Sequence, residues 1–300
     1  MRDKPRVLLL GNGINRAYNF ASWGELITSM QKRRFTDEEE YVLDGMSYPL
    51  RAVAMTDDNV DSAMSDISEQ MSVLFPPEEE MVILENLSKL PVDAILTTNY
   101  TYEIEKSLAE DFACAPGRKC KYRQCKKPSV GEYERNQLYT YFQMSDNSPE
   151  VWHIHGEAAR HKTMVIGHYY YGKLIAKMQK HIGDSMRIYK AYSQGKCELG
   201  WHSWIDYFML GDVTIVGLGL DLSEMDLWWL ISCKKLHFPD TGVTLYKPDV
   251  KMTEKILCEA YRVTVIEDGL NDRDYKKYYQ WVLEELTQKY QNKGGITTEG

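Results

Sequence analysis

Residues 6–16 read RVLLLGNGINR, and this stretch decides the fold class. Its apolar run, Val7 to Leu10, is four residues long and stops at glycine, which is the length of a buried strand and too short for a helix. Gly11 and Gly13 then allow backbone to approach a phosphate closely, although the full GxGxxG spacing is absent because position 16 is arginine. A glycine turn between strand and helix is equally a structural joint. A helical pattern begins near Ser22, so the order is strand, glycine turn, helix.

Working outward, the same unit recurs. Residues 93–97 give a second short apolar strand ending in Thr98-Asn99-Tyr100, and a helix restarts over 102–108. Residues 151–155 form a strand candidate ending at Gly156. Residues 212–216 form another, followed by a turn at 217–222 and a largely apolar helix over 223–236 that Ser223 can cap. Two further strands, 243–246 and 263–266, flank a helix near 253–261, and a terminal helix runs from about 272 to 290.

Alternating short strands and helices imply an α/β fold: a Rossmann-like, mostly parallel sheet with helices on both faces, in a single domain over residues 1–300. Two insertions are expected. The first is helical, about 36–90, with Val60, Ala63, Met64, Ile67, Met71 and Leu74 at three- and four-residue spacing before Pro76-Pro77. The second, about 112–205, reads as loops with a short strand near 139–144, then a tyrosine-rich helical region over 169–192.

Composition bounds the function. Hydrophobic residues at 43% and charged residues at 27% describe a folded chain with a substantial core. A net charge of −8 gives no long-range attraction for a polyanion, so nucleic acid is not an expected partner. Four consecutive apolar residues near the start are too few for a signal-peptide core, and no stretch is long enough to span a bilayer; a cytoplasmic location is expected.

In an open parallel sheet, ligands gather at the carboxyl ends of the strands where the order reverses. Asn12 and Asn15 follow the first strand, Asn99 the second, His155 ends the third, and Asp221 and Asp226 follow the fourth. A strand-end carboxamide such as Asn99 can orient a ribose hydroxyl or a water, or satisfy nearby backbone in a turn. His153 and His155, two apart on a strand, are expected to share a face. Each is either a satisfied core or turn residue or, for His155 beside Gly156, a proton-transfer group. Asp226 is explained by the helix dipole alone, and Trp228-Trp229 by core packing.

Taken in this order, GNGINR, TTNY, HIHG and IVGLGLDLSEMD resemble the bacterial sirtuin-like family of NAD-consuming proteins, which includes effectors of antiphage defence. The resemblance implies NAD as substrate, with no metal. Gly11, Asn12, Gly13 and Asn15 fall in the family's first dinucleotide-binding loop, and Ser22-Trp23 matches a Ser-Trp that opens a helix. Asn99, preceded by Thr98, matches the catalytic asparagine and His155 the catalytic histidine. Gly217, Leu220 and Asp226 match the loop that flanks the adenosine side.

The sequence departs from the family in having GNG for the sirtuin GAG and Thr101 where members often carry aspartate. No zinc ribbon is visible: Cys114, Cys120 and Cys125 lie close together without a fourth cysteine or CxxC spacing. No disulfide is expected. The activity implied is NAD hydrolysis to nicotinamide and ADP-ribose in antiphage defence. The alternatives are a sirtuin-type deacylase or ADP-ribosyltransferase, a module that senses NAD or ADP-ribose without turnover, and a structural subunit whose pocket is vestigial. Family members also imply a homo-oligomer or a regulatory partner such as a ring ATPase.

Overall fold

The expected opening strand, β1 (Arg6–Leu10), lies at the centre of an eight-stranded sheet and is buried along Val7–Leu10. The computed structural model describes residues 4–20, 22–57, 59–127, 137–269 and 274–293. The other strands are β2 (Ala94–Thr97), β3 (Arg123–Cys125), β4 (Thr140–Phe142), β5 (Glu150–His153), β6 (Asp212–Val216), β7 (Val243–Tyr246) and β8 (Val263–Ile266). Their spatial order is β3-β4-β5-β2-β1-β6-β7-β8.

Strands β5, β2, β1, β6, β7 and β8 are mutually parallel, while β3 and β4 extend the β5 edge in antiparallel fashion. Numbered along the chain, the parallel strands follow the order 3-2-1-4-5-6 of doubly wound dinucleotide-binding sheets, which reverses beside β1. The sheet is a Rossmann-like α/β fold.

Helices cover both faces. Near the amino terminus lie α1 (Gly13–Ala17) and α2 (Trp23–Ser29), then the helical segment α3 (Asp37–Asp44), α4 (Tyr48–Thr56), α5 (Val60–Val73) and α6 (Glu78–Ser88). Pro76-Pro77 separates the last two, as the absent N–H and restricted preceding residue require. Next come α7 (Glu103–Leu108), α8 (His168–Ser193), α9 (Trp204–Leu210), α10 (Met225–His237), α11 (Met252–Tyr261) and α12 (Tyr275–Lys293). The expected start of the last helix, at Asp272, lies outside the described residues.

Strand alternation divides the core. Leu8, Leu10, Ile95 and Val151 pack with Ile14, Met64, Leu84 and Leu286 on one face. Val7, Leu9, Leu96 and Trp152 pack with Leu174, Phe208 and Leu230 on the other. Each buried aliphatic side chain contributes roughly 1.5–3 kcal/mol relative to exposure, which fixes the register because a one-residue slip would exchange the faces.

That register levels the strand ends. Leu10 pairs with Thr97 and Val216, and Thr97 pairs with His153. The ladder continues one residue past the strands, through Gly11 N–H to Val216 O (2.9 Å), Thr98 N–H to Leu10 O (3.3 Å) and Ile154 N–H to Thr97 O (2.9 Å). Asn12, Asn99 and His155 are therefore each two residues beyond one level row.

Two local expectations are corrected. Strand β5 ends at His153, and residues 154–155 form a turn closed by Gly156 N–H to His153 O (3.0 Å). His153 and His155 consequently enter different surroundings. Ser223 does not cap α10: Glu224 holds that position, and the preceding turn is made by Asp221 Oδ1 accepting the Ser223 N–H at 2.9 Å. No helix among the described residues is long and apolar enough to cross a membrane.

Candidate active site

The two glycine turns at the reversal of strand order pack directly on one another. A Cβ at Gly11 would lie 2.7 Å from Leu218 Cβ, and one at Gly13 2.5 Å from the Tyr279 hydroxyl and 2.6 Å from Gly217 O. Gly13 N–H donates to Gly217 O at 2.6 Å, and Gly11 N–H to Val216 O. These two N–H groups are engaged by the neighbouring strand and turn, and Gly11 and Gly13 form the joint between the turns, with Gly13 also on the crevice described next.

Beside that joint opens a crevice of about 260 Å³, lined by Gly13, Arg16, Gly217, Tyr246, Lys247 and Tyr279 among others. Lys247 is tethered to Gly219 O (2.9 Å) and to Glu254 (2.8 Å). Leu220, expected on the adenosine side, is buried in the second core cluster and adopts a left-handed φ of 47°. Asp226 is likewise absent from the crevice lining.

On the α1 and α7 side of the row, Asn99 Nδ2 donates to Glu103 Oε1 at 2.5 Å, and Asn15 Nδ2 donates to the same oxygen at 3.3 Å. The Asn99 N–H is held by the Thr97 hydroxyl at 3.1 Å. Among the described residues no partner reaches Asn15 Oδ1, Asn99 Oδ1, Glu103 Oε2, Thr98 Oγ1 or Asn12 Nδ2, although all are buried. Such atoms are costly unless a ligand or water meets them. Burial raises the Glu103 pKa, opposed by the Thr101 hydroxyl, its own N–H and Asn99. Burial and the neighbouring Glu103 push Glu80 up to about 8. A cavity of about 30 Å³ beside Asn99 is lined by Asn12, Ser22, Leu26, Met71 and Thr101 among others.

On the α8 and α10 side, His155 Nε2 meets Asp226 Oδ2 at 2.8 Å, both residues fully buried. The Tyr171 ring stands edge-on to the imidazole at 5.4 Å. His155 Nδ1 and Asp226 Oδ1 have no partner among the described residues. Burial lowers the His155 pKa, but the charge and hydrogen bond of Asp226 outweigh it and leave it raised. Burial raises Glu224 to about 7, with His155 opposing and Asp226 adding to the rise.

One donor atom from each of His155, Glu224 and Asp226 lies within 4.8 Å of the others, the only such set of three among the described residues. The 2.8 Å contact between His155 and Asp226 is the geometry of a proton-sharing dyad. A second cavity, about 10 Å³, is lined by Glu224, Tyr171 and Ile27 of α2 among others. Helix α2, fixed by the Ser22–Glu25 capping box, thus brings Leu26 to the cavity that Asn99 lines and Ile27 to the one that Glu224 lines.

No family model and no curated protein matches the chain. Among solved structures it is similar to a serine-to-alanine mutant of a Sir2 homologue in complex with ADP-ribose, at 11% identity and TM-score 0.41, covering 98% of this chain and 94% of that one. It is also similar to a histidine-to-asparagine mutant of a Sir2 homologue with ADP-ribose (11%, 0.40, 98% and 94%). A third is a Sir2 homologue in complex with NAD (10%, 0.38, 96% and 89%).

Asn12 and Asn99 line one cavity and Asn15 joins Asn99 at Glu103, whereas His155 lies at the same strand-end level with Asp226, and Gly13 and Gly217 border the crevice. Asp226, expected on the adenosine side, lies against His155. Glu103, Glu224, Glu80 and Tyr171 were not anticipated. An acid near a helix amino terminus is explained by the dipole, so no sequence signal distinguished Glu103 at the start of α7 or Glu224 at the cap of α10. His153 is structural: its nitrogens meet Asn99 O (2.7 Å) and Glu105 Oε1 (2.9 Å). Cys114 and Cys120 are buried, and Arg123 donates to Cys114 Sγ at 2.7 Å.

Proposed function

We propose that the protein hydrolyses NAD at its N-glycosidic bond, giving nicotinamide and ADP-ribose. The observation that carries this reading is the level row at the reversal of strand order. Asn99 with Glu103 and Asn15, His155 with Asp226, and the crevice at Gly217 all meet the carboxyl ends of β2, β5, β1 and β6. Tyrosines and Arg16 in a crevice of about 260 Å³, with Lys247 paired to Glu254 and Asp249 also on its lining, suit an aromatic base joined to a diphosphate.

In the reaction the bond from ribose C1′ to the nicotinamide nitrogen breaks, nicotinamide keeping the electron pair. A water oxygen bonds to C1′ and loses its proton. The nicotinamide nitrogen is already cationic, so it leaves neutral and needs no acid. The protein has to position the water, stabilise an oxocarbenium-like sugar and accept one proton. Asn99 Oδ1 accepts a hydrogen bond from a ribose hydroxyl or the water, and positioning of this kind lowers a barrier by several kcal/mol. His155, oriented by Asp226, takes the proton from the water or a ribose hydroxyl. Buried carboxylates nearby favour the developing positive charge.

Leu26 and Ile27 of α2 line the two small cavities, so the nicotinamide end would enter by a shift of α2. A restrained NAD hydrolase suits antiphage defence by NAD depletion in the cytoplasm, released by self-assembly or by a partner such as a ring ATPase. Exposed apolar side chains on the helical segment, including Tyr41 at 83% and Phe75 at 60%, support such association.

The test is to incubate pure protein with an NAD concentration series and follow nicotinamide by chromatography. Wild type is expected to release it, and Asn99→Ala and His155→Ala each to lower the rate by about 10²–10⁴-fold while melting as wild type does. Stabilisation by NAD without nicotinamide would mark a sensing module instead, and strong acceleration by an acetylated peptide a deacylase. Undiminished release by either variant removes its assigned role.

A further inference from the structure

Glu103 does no step of the hydrolysis just described, yet both site carboxamides converge on it. A carboxamide has two ends of nearly equal shape, one donating and one accepting, and its partner decides which end faces a ligand. A carboxylate accepts only. With Asn99 Nδ2 at 2.5 Å and Asn15 Nδ2 at 3.3 Å from Glu103 Oε1, both amino groups are turned inward. Asn99 Oδ1 and Asn15 Oδ1 are left without partners among the described residues, as is Glu103 Oε2, all three buried. Three open acceptors suit a ligand that brings hydroxyl donors, as the two adjacent hydroxyls of a ribose do, while the open Asn12 amino group and Thr98 hydroxyl can meet its acceptors.

We propose that Glu103 is a positioning residue that fixes the orientation of the Asn99 and Asn15 carboxamides, so that their oxygens face the ribose hydroxyls; this rests on the hydrolase reading. Removing the acceptor frees each amide to present its donor end, which repels a hydroxyl donor and misplaces the water. The acceptor role rests on the two amide contacts; burial raises the Glu103 pKa, opposed by the Thr101 hydroxyl, its own N–H and Asn99. Glu80, held neutral at pH 7 by its raised pKa, does not compete as a charged acceptor.

Steady-state kinetics with NAD on Glu103→Leu, Glu103→Gln, Asn99→Ala and the Glu103→Leu/Asn99→Ala double variant tests this. Glu103→Leu is expected to lower kcat by about 10–100-fold with a smaller change in KM, as lost orientation would. Glu103→Gln, whose carbonyl oxygen can still accept both amides, is expected to recover most of that loss. In the Asn99→Ala background, Glu103→Leu should add little, because its effect passes through Asn99. Wild-type kcat in Glu103→Leu, equal losses in Gln and Leu, or fully additive losses would each overturn the proposal. If the leucine variant does not fold, Glu103→Ala takes its place, since water in the space it leaves can meet the amides.

Titration with ADP-ribose separates the two readings. Wild type that releases no nicotinamide sinks hydrolysis alone. Glu103 is then judged on ADP-ribose affinity, expected to weaken at least about tenfold in Leu or Ala and far less in Gln. Equal Kd values across the variants overturn the positioning role.

Discussion

His155 keeps one nitrogen on Asp226 at 2.8 Å and the other without a partner among the described residues, whereas His153 engages both nitrogens and is held protonated, its pKa at about 9 despite burial because of Glu105. Of the two histidines, His155 alone keeps a ring nitrogen open to a ligand among the described residues. Because Asp226 raises its pKa, the neutral base forms above the ordinary imidazole value of about 6.5. The rate should therefore climb with pH through a limb above 6.5. Asp226→Asn removes the charge, so that limb is expected to move to lower pH while the plateau falls at least about tenfold through loss of orientation. A kcat–pH profile from 5.5 to 9 checks this, and an unmoved limb contradicts it. At this scale the placement of Asn99 and His155 just past the strand ends was legible in the sequence because each follows an apolar run closely. Glu103 was not, because nothing in a sequence tells a buried acid at a helix start from a solvated one.

The turn after β5 takes a histidine of the strand pattern out of the sheet and sets it against Asp226. Gly156 holds a φ of +89°, and a Cβ there would sit 2.1 Å from Thr163 O. Val165 N–H returns to His155 O at 2.8 Å, closing the loop around the imidazole. Gly156→Ala is expected to destabilise by at least about 2 kcal/mol through left-handed strain and backbone displacement, and to lower activity further by shifting His155. Urea denaturation reads the first effect; an unchanged midpoint would mean that the loop tolerates the methyl. Periodicity predicts β5 through residue 155 because Val151, His153 and His155 keep alternating. The strand ends earlier because backbone geometry at Gly156, which periodicity does not encode, closes a turn. Helix bounds came closer: α8 was expected over 169–192 and runs His168–Ser193, its buried Leu174, Met178 and Ile182 at a strict helical spacing.

Across the whole molecule, the alternation of strands and helices in sequence implied a parallel sheet, but the neighbour relations that make 3-2-1-4-5-6 are set by long-range packing. The helical segment of residues 37–88 is more than an appendage, because Met71 lines the Asn99 cavity and Glu80 faces Glu103. Ser68 anchors it to Ala158 O at 2.5 Å, just beyond His155 and Gly156. Movement of this segment and α2 would therefore couple to the site. The decisive measurement is the crystal structure of the His155→Ala protein soaked at saturating NAD. The nicotinamide ribose is expected against Asn99 and Asn15, the adenosine end in the crevice between Gly217 and Tyr246, and α2 displaced from both. NAD bound away from Asn99, or no NAD and an unmoved α2, would contradict the active site described here.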